Sequence, residues 1–351
     1  MEREARVVKN AGSHYLLSEL PVWEPFPAVL RGKTRLGLGT TTNPVAVGDR
    51  VIYEPGDGEA AIIQKVLPRD NYIIRKSTNL SRQSHIIAAN VDQAVIAVSL
   101  FFPEIKLPFL DRILVTCEVY KVPVVIALNK VDLYRDDAPE AVRNFLGIYR
   151  GAGYRVIETS CKTGEGIDEL REACRGRISL FSGESGAGKS SLIKALDPSL
   201  DPKIGKISLS HLQGKHTTSL YEMYPFGANE DGEVVSPDAI AALGFRGRDP
   251  SPMGGASERP ARGETISPSP SGFVIDSPGL RGFGLVDLER EEIALYFPEM
   301  LRASEGCRFT PCTHTHEPGC AVKAAVERGD ISPERYNSYL GMLEEDSKFR
   351  Q

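Results

Sequence analysis

Short runs of β-prone residues recur through the first 85 positions, and no segment there has the period of a long helix. The runs include Ala5–Val8 and Ala60–Val66, and turn residues such as Asn10–Gly12 and Glu54–Gly58 separate them. Five or so short strands avoid exposed edges by closing on themselves, so the pattern predicts a small β-barrel over residues 1–85. An SH3-like barrel fits the pattern almost as well as other small barrels.

Beyond Ile86, apolar runs of strand length alternate with segments of helical period. The predicted strands are 93–100, 122–128, 154–159, 178–181 and 272–276. The predicted helices between them are 107–121, 139–150 and 167–174. Because the strands are apolar on both faces, the alternation predicts a parallel sheet between two layers of helices, in an α/β domain over residues 86–298.

A segment poor in apolar side chains interrupts this domain at residues 227–272. Between Gly244 and Gly272, 16 of 29 residues are Gly, Pro or Ser. Such a segment cannot bury enough surface to offset its ordering entropy, so we predict a disordered insertion with a spacer role. After residue 298 a Cys/His cluster precedes two helical patterns, 321–328 and 333–345, which predict a third, α-helical domain over residues 299–351.

The composition, net charge and cysteine number of the chain exclude several classes of protein. Hydrophobic residues make up 41% and charged residues 25% of the 351 positions, which excludes a wholly disordered chain, a fibre and a disulfide miniprotein. A net charge of −5 means that nucleic-acid binding needs a local basic surface. Six cysteines are too sparse for a disulfide framework and predict a reducing, cytoplasmic setting. No signal peptide is visible, and no apolar run approaches the ~20 residues that a bilayer needs, so we expect no membrane association.

The strongest chemical motif fits G-x-x-x-x-G-K-[ST] and lies between a predicted strand and the predicted helix Ser190–Leu196. Its glycines permit a tight loop whose backbone N–H groups point toward an anion at the positive end of that helix. The Lys189 ammonium can reach the β- and γ-phosphates of a nucleotide, and the Ser190 hydroxyl can bind Mg²⁺. The predicted phosphate-binding residues are Gly183, Glu184, Ser185, Gly186, Ala187, Gly188, Lys189, Ser190 and Ser191.

Two further motifs follow strands and complete a guanine-nucleotide site. Asp276-Ser-Pro-Gly279 offers a carboxylate on the Mg²⁺ side, with Gly279 placing a backbone N–H near the γ-phosphate. In Asn129-Lys-Val-Asp132, the Asp132 carboxylate can accept from the N1–H and the amine of guanine, a pair that adenine lacks. Asn129 can bind the Hoogsteen edge of the base, and the Lys130 stem can cover its face. The residues predicted to bind the base are Asn129, Lys130, Val131 and Asp132, with Ser160, Cys161 and Lys162 from a second loop.

The order of these motifs is unusual. The base-reading motif at 129 precedes the phosphate loop at 183, and Asp276 comes last, whereas ordinary GTPases have the phosphate loop first. The same sheet can form with its strands joined in a permuted order. The switch segments between 191 and 285 then lead directly into the C-terminal Cys/His module, so nucleotide state can be passed to that module.

The C-terminal cluster supplies three thiols and an imidazole within 14 residues, in the spacing Cys307-x₄-Cys312-x-His314-x₅-Cys320. A closed Cys₃His shell is typical of one structural Zn²⁺, because it leaves no open position for catalysis. His316 competes with His314 for the histidine position, and the spacing does not decide between them.

These residues together resemble one known family, the circularly permuted GTPases that depend on the small ribosomal subunit, called RsgA, YjeQ or EngC. The resemblance covers nearly the whole chain and is carried by Arg31–Arg35, Val47–Val51, Ile87–Asp92, Asn129–Asp132, Gly183–Ser191, Gly214–Thr218, Asp276–Gly279 and the Cys/His cluster that ends in Glu317–Val322. The chain departs from the family in two places: Ser277 stands where the family usually has threonine, and the 227–272 insertion is longer than the usual connection.

The resemblance implies an oligonucleotide-binding (OB) fold barrel, a permuted P-loop GTPase domain and a zinc-binding domain. It further implies GTP hydrolysis to GDP, stimulated by the small ribosomal subunit during late maturation of that subunit. By the resemblance, His314 is the zinc ligand, and Thr218, rather than Thr217, joins Ser190 in binding Mg²⁺. We expect the chain to be monomeric off the ribosome.

The catalytic residues are predicted to be Lys189, Thr218 and His216. Residue 280 is leucine, where many small GTPases carry a glutamine that orients water, so intrinsic turnover should be slow. His216, in the switch Gly214–Thr218, is our hypothesis for the missing group, and the alternative is a surface histidine that only shapes the switch.

Ribosomal RNA contacts are expected from local basic residues: Arg31, Lys33 and Arg35 on the barrel and Lys323 beside the cluster. Two other functions fit parts of the pattern. A small-molecule kinase would use ATP, which Asp132 disfavours. A non-catalytic RNA-binding scaffold would hold GTP without turnover.

Overall fold

A computed structural model describes residues 2–12, 14–30, 45–56, 60–76, 84–200, 221–227, 270–277 and 288–344. The predicted insertion at 227–272 lies outside these residues except for its two ends. No helix among the described residues is both long enough and apolar enough to cross a membrane.

The N-terminal strands close into the predicted barrel. They are β1 (Arg3–Ala11), β2 (His14–Ser18), β3 (Phe26–Leu30), β4 (Arg50–Glu54) and β5 (Ala61–Val66). The closed order is β1-β2-β3-β5-β4, with β3 and β5 parallel and the other described pairs antiparallel. This closed strand order, with β3 parallel to β5, is that of an OB-fold barrel and confirms the OB-fold prediction over the SH3-like alternative.

The barrel interior is filled by side chains from alternate strand positions. Val7, Leu17, Val51 and Ile63 are fully buried, and Tyr15 and Tyr53 line the same cluster. A two-stranded ribbon, β6 (Tyr72–Lys76) with β7 (Ser84–Ala89), follows the barrel and leads into the next domain. The predicted boundary at residue 85 falls within β7.

The middle domain is built on a six-stranded sheet. Its strands are β8 (Gln93–Val98), β9 (Val124–Asn129), β10 (Arg155–Thr159), β11 (Ile178–Gly183), β12 (Met223–Phe226) and β13 (Gly272–Asp276). The order is β10-β9-β8-β11-β13-β12, and every pair is parallel except β12 with β13. The parallel sheet is therefore confirmed, and the antiparallel edge strand β12 is an addition to it.

Helices cover both faces of this sheet. They are α1 (Leu107–Val119), a 3₁₀ turn (Val131–Leu133), α2 (Pro139–Ala152), α3 (Ile167–Cys174) and α4 (Lys189–Leu196). Alternate residues of β8 enter two separate cores, since Ile96 packs with α1 and α2 while Val95 packs with α3 and α4. A central strand buried on both faces is a nearly continuous apolar run, and five of the six residues of β8 are apolar; the exception is Gln93, whose buried amide donates to the Ala173 carbonyl (2.9 Å) and to Ser179 Oγ (3.0 Å).

The C-terminal domain is helical. It comprises a 3₁₀ helix (Arg290–Tyr296), α5 (Pro298–Ser304), α6 (Ala321–Arg328) and α7 (Pro333–Glu344). Helix α7 packs against α1 of the middle domain, and a buried arginine lies in that interface. Arg335 is 1% exposed and donates to Glu299 of α5 (2.7 and 3.1 Å) and to Asp111 of α1 (2.8 Å). The two domains therefore share a buried charged cluster.

Candidate nucleotide site and metal-binding cluster

Several loops meet at one edge of the central sheet. Strands β8, β9, β10, β11 and β13 run parallel, so the segments that follow their carboxyl ends lie together. The register pairs Asn129 with Thr159 and Phe181 with Asp276. Three predicted motifs, far apart in the sequence, are therefore neighbours in the fold.

The loop after β11 approaches the base-reading motif too closely for any side chain. Gly188, which precedes α4, has φ +94°, and a Cβ atom built on it would lie 2.2 Å from Asn129 Nδ2. No side chain caps the N-terminus of α4. The backbone N–H groups at that helix end are thus available to an anion, as a phosphate loop requires.

The lysine of this loop is paired with the carboxylate that ends β13. Lys189 is 9% exposed, and its Nζ forms a close ion pair with Asp276 Oδ1. Ser277, the residue that departs from the family pattern, is also buried, and its Oγ donates to the Phe181 carbonyl (2.9 Å) and contacts Ser182 Oγ (2.8 Å). A hydroxyl at this position therefore holds β13 to β11 directly below the phosphate loop.

The Asn129 side chain joins three loops. Asn129 is 2% exposed, and its Nδ2 donates to the Ala187 carbonyl of the phosphate loop (3.0 Å). Its Oδ1 accepts from Thr159 Oγ1 (3.2 Å) and, more weakly, from Cys161 Sγ (3.8 Å). Both ends of the amide are thus bonded to protein, and Asn129 ties the base-reading and phosphate-binding segments into one unit.

Lys130 reaches across the site toward the phosphate loop. Its backbone has φ +65°, and its Nζ donates to the carbonyl oxygens of Gly186 (2.7 Å) and Phe102 (2.5 Å). The ammonium is therefore anchored at the phosphate end of the site, and the apolar stem runs to it from the base-reading motif.

The Asp132 carboxylate is exposed and held at one oxygen. Its Oδ1 accepts from Ser160 Oγ (2.6 Å), and Ser160 itself is fully buried. Cys161 is half-buried, and burial raises the pKa of its thiol, while Lys162 and Ser191 are exposed. The structure thus brings the second loop beside the base-reading motif.

Two residues that the sequence did not single out, Tyr134 and Phe102, support this site together with Thr159, the first residue of the second predicted loop. Thr159 holds the Asn129 amide, Tyr134 OH donates to the Asn129 carbonyl (2.7 Å), and the Phe102 carbonyl holds Lys130. Their roles depend on backbone and hydroxyl contacts that no residue pattern reveals. Several predicted residues lie outside the described residues: His216, Thr217, Thr218, Gly279, Leu280, Arg31, Lys33 and Arg35.

The C-terminal cysteines and histidine converge. The ligand atoms of Cys307, Cys312, His314 and Cys320 all lie within 4.8 Å of one another. His314 Nδ1 is 3.4 Å from Cys320 Sγ and 3.6 Å from Cys307 Sγ, and the Cys307 and Cys320 sulfurs are 4.0 Å apart. Bonds of about 2.0–2.3 Å to a tetrahedral Zn²⁺ separate its ligand atoms by roughly 3.5–3.8 Å, so this Cys₃His cluster fits a metal ion of that size.

The surroundings of His314 and His316 differ, and only those of His314 suit a metal ligand. His314 is buried at φ +56°, and burial lowers its pKa, which keeps the imidazole neutral as a metal ligand must be. The Tyr336 hydroxyl donates to the His314 carbonyl (2.6 Å). His316 is exposed and contacts only its neighbour Thr315 within the described residues (2.9 Å). Lys323, from α6, donates its backbone N–H to Cys320 Sγ (3.5 Å).

Comparison with known proteins agrees with this geometry. The family model described as RsgA GTPase matches residues 66–237. A small ribosomal subunit biogenesis GTPase RsgA from Bacteroides fragilis is 41% identical over 98% of both chains, and one from Christiangramia forsetii is 38% identical over 99% of this chain and 98% of its own.

Two solved structures share the fold of this chain over nearly its whole length. The crystal structure of YjeQ from Thermotoga maritima superposes with a TM-score of 0.71 at 30% identity, covering 98% of each chain. YloQ, described as a circularly permuted GTPase, shares the fold with a TM-score of 0.66 at 23% identity, covering 98% of this chain and 94% of its own. With its permuted strand order, its phosphate loop and its near full-length relatives, the chain belongs to the RsgA family of GTPases.

Proposed function

We propose that the chain binds Mg²⁺·GTP at the carboxyl edge of its central sheet and hydrolyses it during late maturation of the small ribosomal subunit. The observation that carries this proposal is the Asn129 amide, which locks the base-reading motif to the phosphate loop. A site of this construction positions a base and a phosphate chain at a fixed separation, as nucleotide hydrolysis requires.

The phosphates would lie in the loop 183–191, against the free N–H groups of α4. Lys189 would contact the β- and γ-phosphates, and Ser190 and Thr218 would bind Mg²⁺, with Asp276 on the metal side. The pairing of Lys189 with Asp276 supports this assignment, because it puts the ammonium and the carboxylate at one point of the loop. His216 would orient the attacking water.

Guanine would be read by Asp132, whose Oδ1 is aligned by Ser160 (2.6 Å). A carboxylate held in this way accepts from the N1–H and the amine of guanine. Adenine leaves the same carboxylate without its partners, and an unpaired polar group in a pocket costs about 1–3 kcal/mol. The Lys130 stem would cover the base, since its ammonium is fixed at Gly186.

The Cys₃His cluster would hold one structural Zn²⁺. Burial raises the pKa of Cys312 to about 12, so a thiolate there requires a cation beside it. We expect one equivalent of zinc per purified chain by atomic absorption. Removal by a chelator should lower the thermal stability of the C-terminal domain and leave GTP binding intact. A native chain whose three cluster thiols all react rapidly with a thiol reagent would contradict the site.

The partner would be the small ribosomal subunit, since the relatives are named for their part in the biogenesis of that subunit. We expect the free chain to be monomeric and cytoplasmic, with ribosomal RNA contacts from Arg31, Lys33, Arg35 and Lys323. The test is phosphate release from GTP and from ATP, with and without purified small subunits. Slow GTP turnover that rises steeply with subunits, with no ATP signal, is the expected result.

Other outcomes of that assay each point elsewhere. ATP turnover that ignores ribosomes would indicate a kinase-like enzyme, and stoichiometric GTP binding without turnover would indicate a scaffold. Single-turnover hydrolysis by His216→Ala on saturating subunits tests the water-positioning role separately. A rate equal to that of the unsubstituted chain would remove His216 from the mechanism.

A further inference from the structure

The loop between β8 and α1 carries an exposed aromatic ring. Phe102 is 66% exposed, the largest fraction for any large hydrophobic side chain that the structure describes. Its backbone has φ +60°, a left-handed conformation that is unfavourable for a residue with a bulky side chain. Its ring lies near the Phe101 ring, with centroids 6.5 Å apart, but most of the residue remains open to solvent.

The backbone of Phe102 lies against the phosphate loop. Lys130 Nζ bridges the Phe102 carbonyl (2.5 Å) and the Gly186 carbonyl (2.7 Å). The next residue, Pro103, is so close that a Cβ atom on Gly186 would lie 3.3 Å from its Cδ. Phe102 is therefore at the point where the Lys130 stem, on the base side, meets the start of the phosphate side.

The preceding residue anchors the loop from inside. The Phe101 ring packs edge-on against Tyr134 with ring centroids 5.5 Å apart, and Ser99 Oγ donates to the Phe101 carbonyl. Tyr134 in turn donates to the Asn129 carbonyl (2.7 Å). Because Phe101 is held inward by the same residues that hold the base-reading motif, the position of Phe102 is fixed relative to the nucleotide site.

From these contacts we propose that Phe102 packs on the ribose of the bound guanine nucleotide and closes the open side of the pocket beside Lys130. The inference rests on the proposed GTP site. A ribose lies between base and phosphates and presents C–H groups to which an aromatic ring binds by excluding water. Since GDP and GTP share this sugar, Phe102 contributes equally to the binding of both.

The test is equilibrium binding of GDP and of a slowly hydrolysed GTP analogue, measured by calorimetry on the full chain. We expect Phe102→Ala to weaken the binding of both nucleotides about tenfold, because the aromatic face that excludes water from the sugar is lost. Phe102→Tyr should restore binding to within about twofold, because the ring is kept. The matched control is Phe309→Ala, which removes another exposed phenylalanine, 43% exposed, from the metal-binding loop and should leave the affinity unchanged.

If Phe102 only stabilised the fold, Phe102→Ala would lower the melting temperature of the nucleotide-free chain. Contact with the ribose predicts a different result. Without nucleotide, Phe102→Ala should keep the melting temperature, and Phe102→Gly should keep or raise it, because glycine adopts φ +60° freely. Affinity within about twofold of the unsubstituted chain would overturn the inference. A loss confined to the GTP analogue, or one that parallels a loss of stability, would also overturn it. If the unsubstituted chain binds neither nucleotide, it is the proposed function that fails.

Discussion

Replacing Arg335 by methionine should destabilise the chain more than any surface substitution. The guanidinium is 1% exposed and makes three hydrogen bonds, to Glu299 and Asp111, whose own exposures are 5% and 0%. It also lies 4.6 Å from the centre of the Phe297 ring. Methionine keeps much of the volume but leaves two carboxylates buried without a positive charge.

The magnitude follows from those orphaned carboxylates. Removing one partner of a buried ion pair costs about 3–5 kcal/mol, because the remaining charge is uncompensated. Burial already raises the pKa of Asp111, even with Arg335 beside it. Without the arginine, which opposes that upward shift, the Asp111 carboxyl should take up a proton more readily in the folded state. The loss in the free energy of unfolding, relative to the unsubstituted chain, should therefore be largest at neutral pH and shrink as the pH is lowered.

The assay is urea unfolding followed by far-UV circular dichroism, with linear extrapolation to water. Arg328→Met is the matched control, since Arg328 pairs with Asp330 at 2.8 Å on the surface and both side chains are more than 60% exposed. That control should cost less than about 1 kcal/mol.

A second variant removes the charges that Arg335 leaves behind. Adding Asp111→Asn and Glu299→Gln to Arg335→Met should recover most of the lost stability, because neutral amides need no counter-charge. The reasoning is refuted if Arg335→Met costs no more than the surface control, or if the triple variant is as unstable as the single one.

Three further outcomes are expected. Gly188→Ala should lower the free energy of unfolding by about 2–3 kcal/mol, through strain at φ +94° and loss of the Asn129–Ala187 hydrogen bond, and should abolish tight nucleotide binding, as urea unfolding and calorimetry will measure. Asp132→Asn should weaken the binding of GDP at least about a hundredfold and strengthen the binding of xanthosine diphosphate, as calorimetry will measure. The new amide can donate to the carbonyl that replaces the guanine amine. Glu317→Gln should destabilise the metal-binding loop. Burial raises the pKa of Glu317, but the stronger effect of hydrogen bonds from Thr313 and Thr315 lowers it to about 2. Because the folded pKa lies below the ordinary value of 4.5, the stability advantage over Glu317→Gln should be complete above that pH and lost as the pH falls toward 2, in urea titrations of both chains with chelator present.

Each of these has a control or a contrary result. Gly147→Ala, at a helical position with nothing within 4 Å of the added Cβ, should be neutral or stabilising, and a Gly188→Ala chain that behaves the same way would contradict the clash. If the ratio of the affinities for GDP and xanthosine diphosphate is the same in Asp132→Asn as in the unsubstituted chain, base reading by Asp132 is contradicted. A stability gap for Glu317→Gln that does not vary between pH 6 and pH 2 would show that its carboxylate is not the acceptor.

The sequence predicted the elements of the central domain closely. Each of its predicted apolar runs contains a strand, for example β13 at Gly272–Asp276, because a strand buried on both faces reads as a nearly continuous apolar run. The strand β12 was not predicted, since it has only four residues and lies at the sheet edge, where its two middle residues, Tyr224 and Pro225, are partly exposed. Its existence depends on the antiparallel pairing with β13, which a local pattern does not encode.

The motif residues were predicted from spacing, but their partners were not. The spacing of its glycines identified the phosphate loop. The spacing of the cysteines and histidines did not decide whether His314 or His316 is the metal ligand. Only the backbone conformation, which buries His314 and exposes His316, separates them in the fold. The Asn129 amide was expected to face the base, whereas in the structure both of its ends are bonded to protein, and its contact with guanine stays a prediction.

By itself the sequence determined the order of the elements, the permuted arrangement of the motifs and the residue types that chemistry requires at each loop. These are local properties, set by hydrophobic period, by glycine at tight turns and by the spacing of ligands. Only the tertiary structure decided which residues meet: Arg335 with Asp111, 224 positions apart, and Phe102 with Lys130 at the rim of the phosphate loop. The first contact arises because helix α7 packs on helix α1, and the second because β8 and β9 pair side by side; no pattern within one segment records its neighbour.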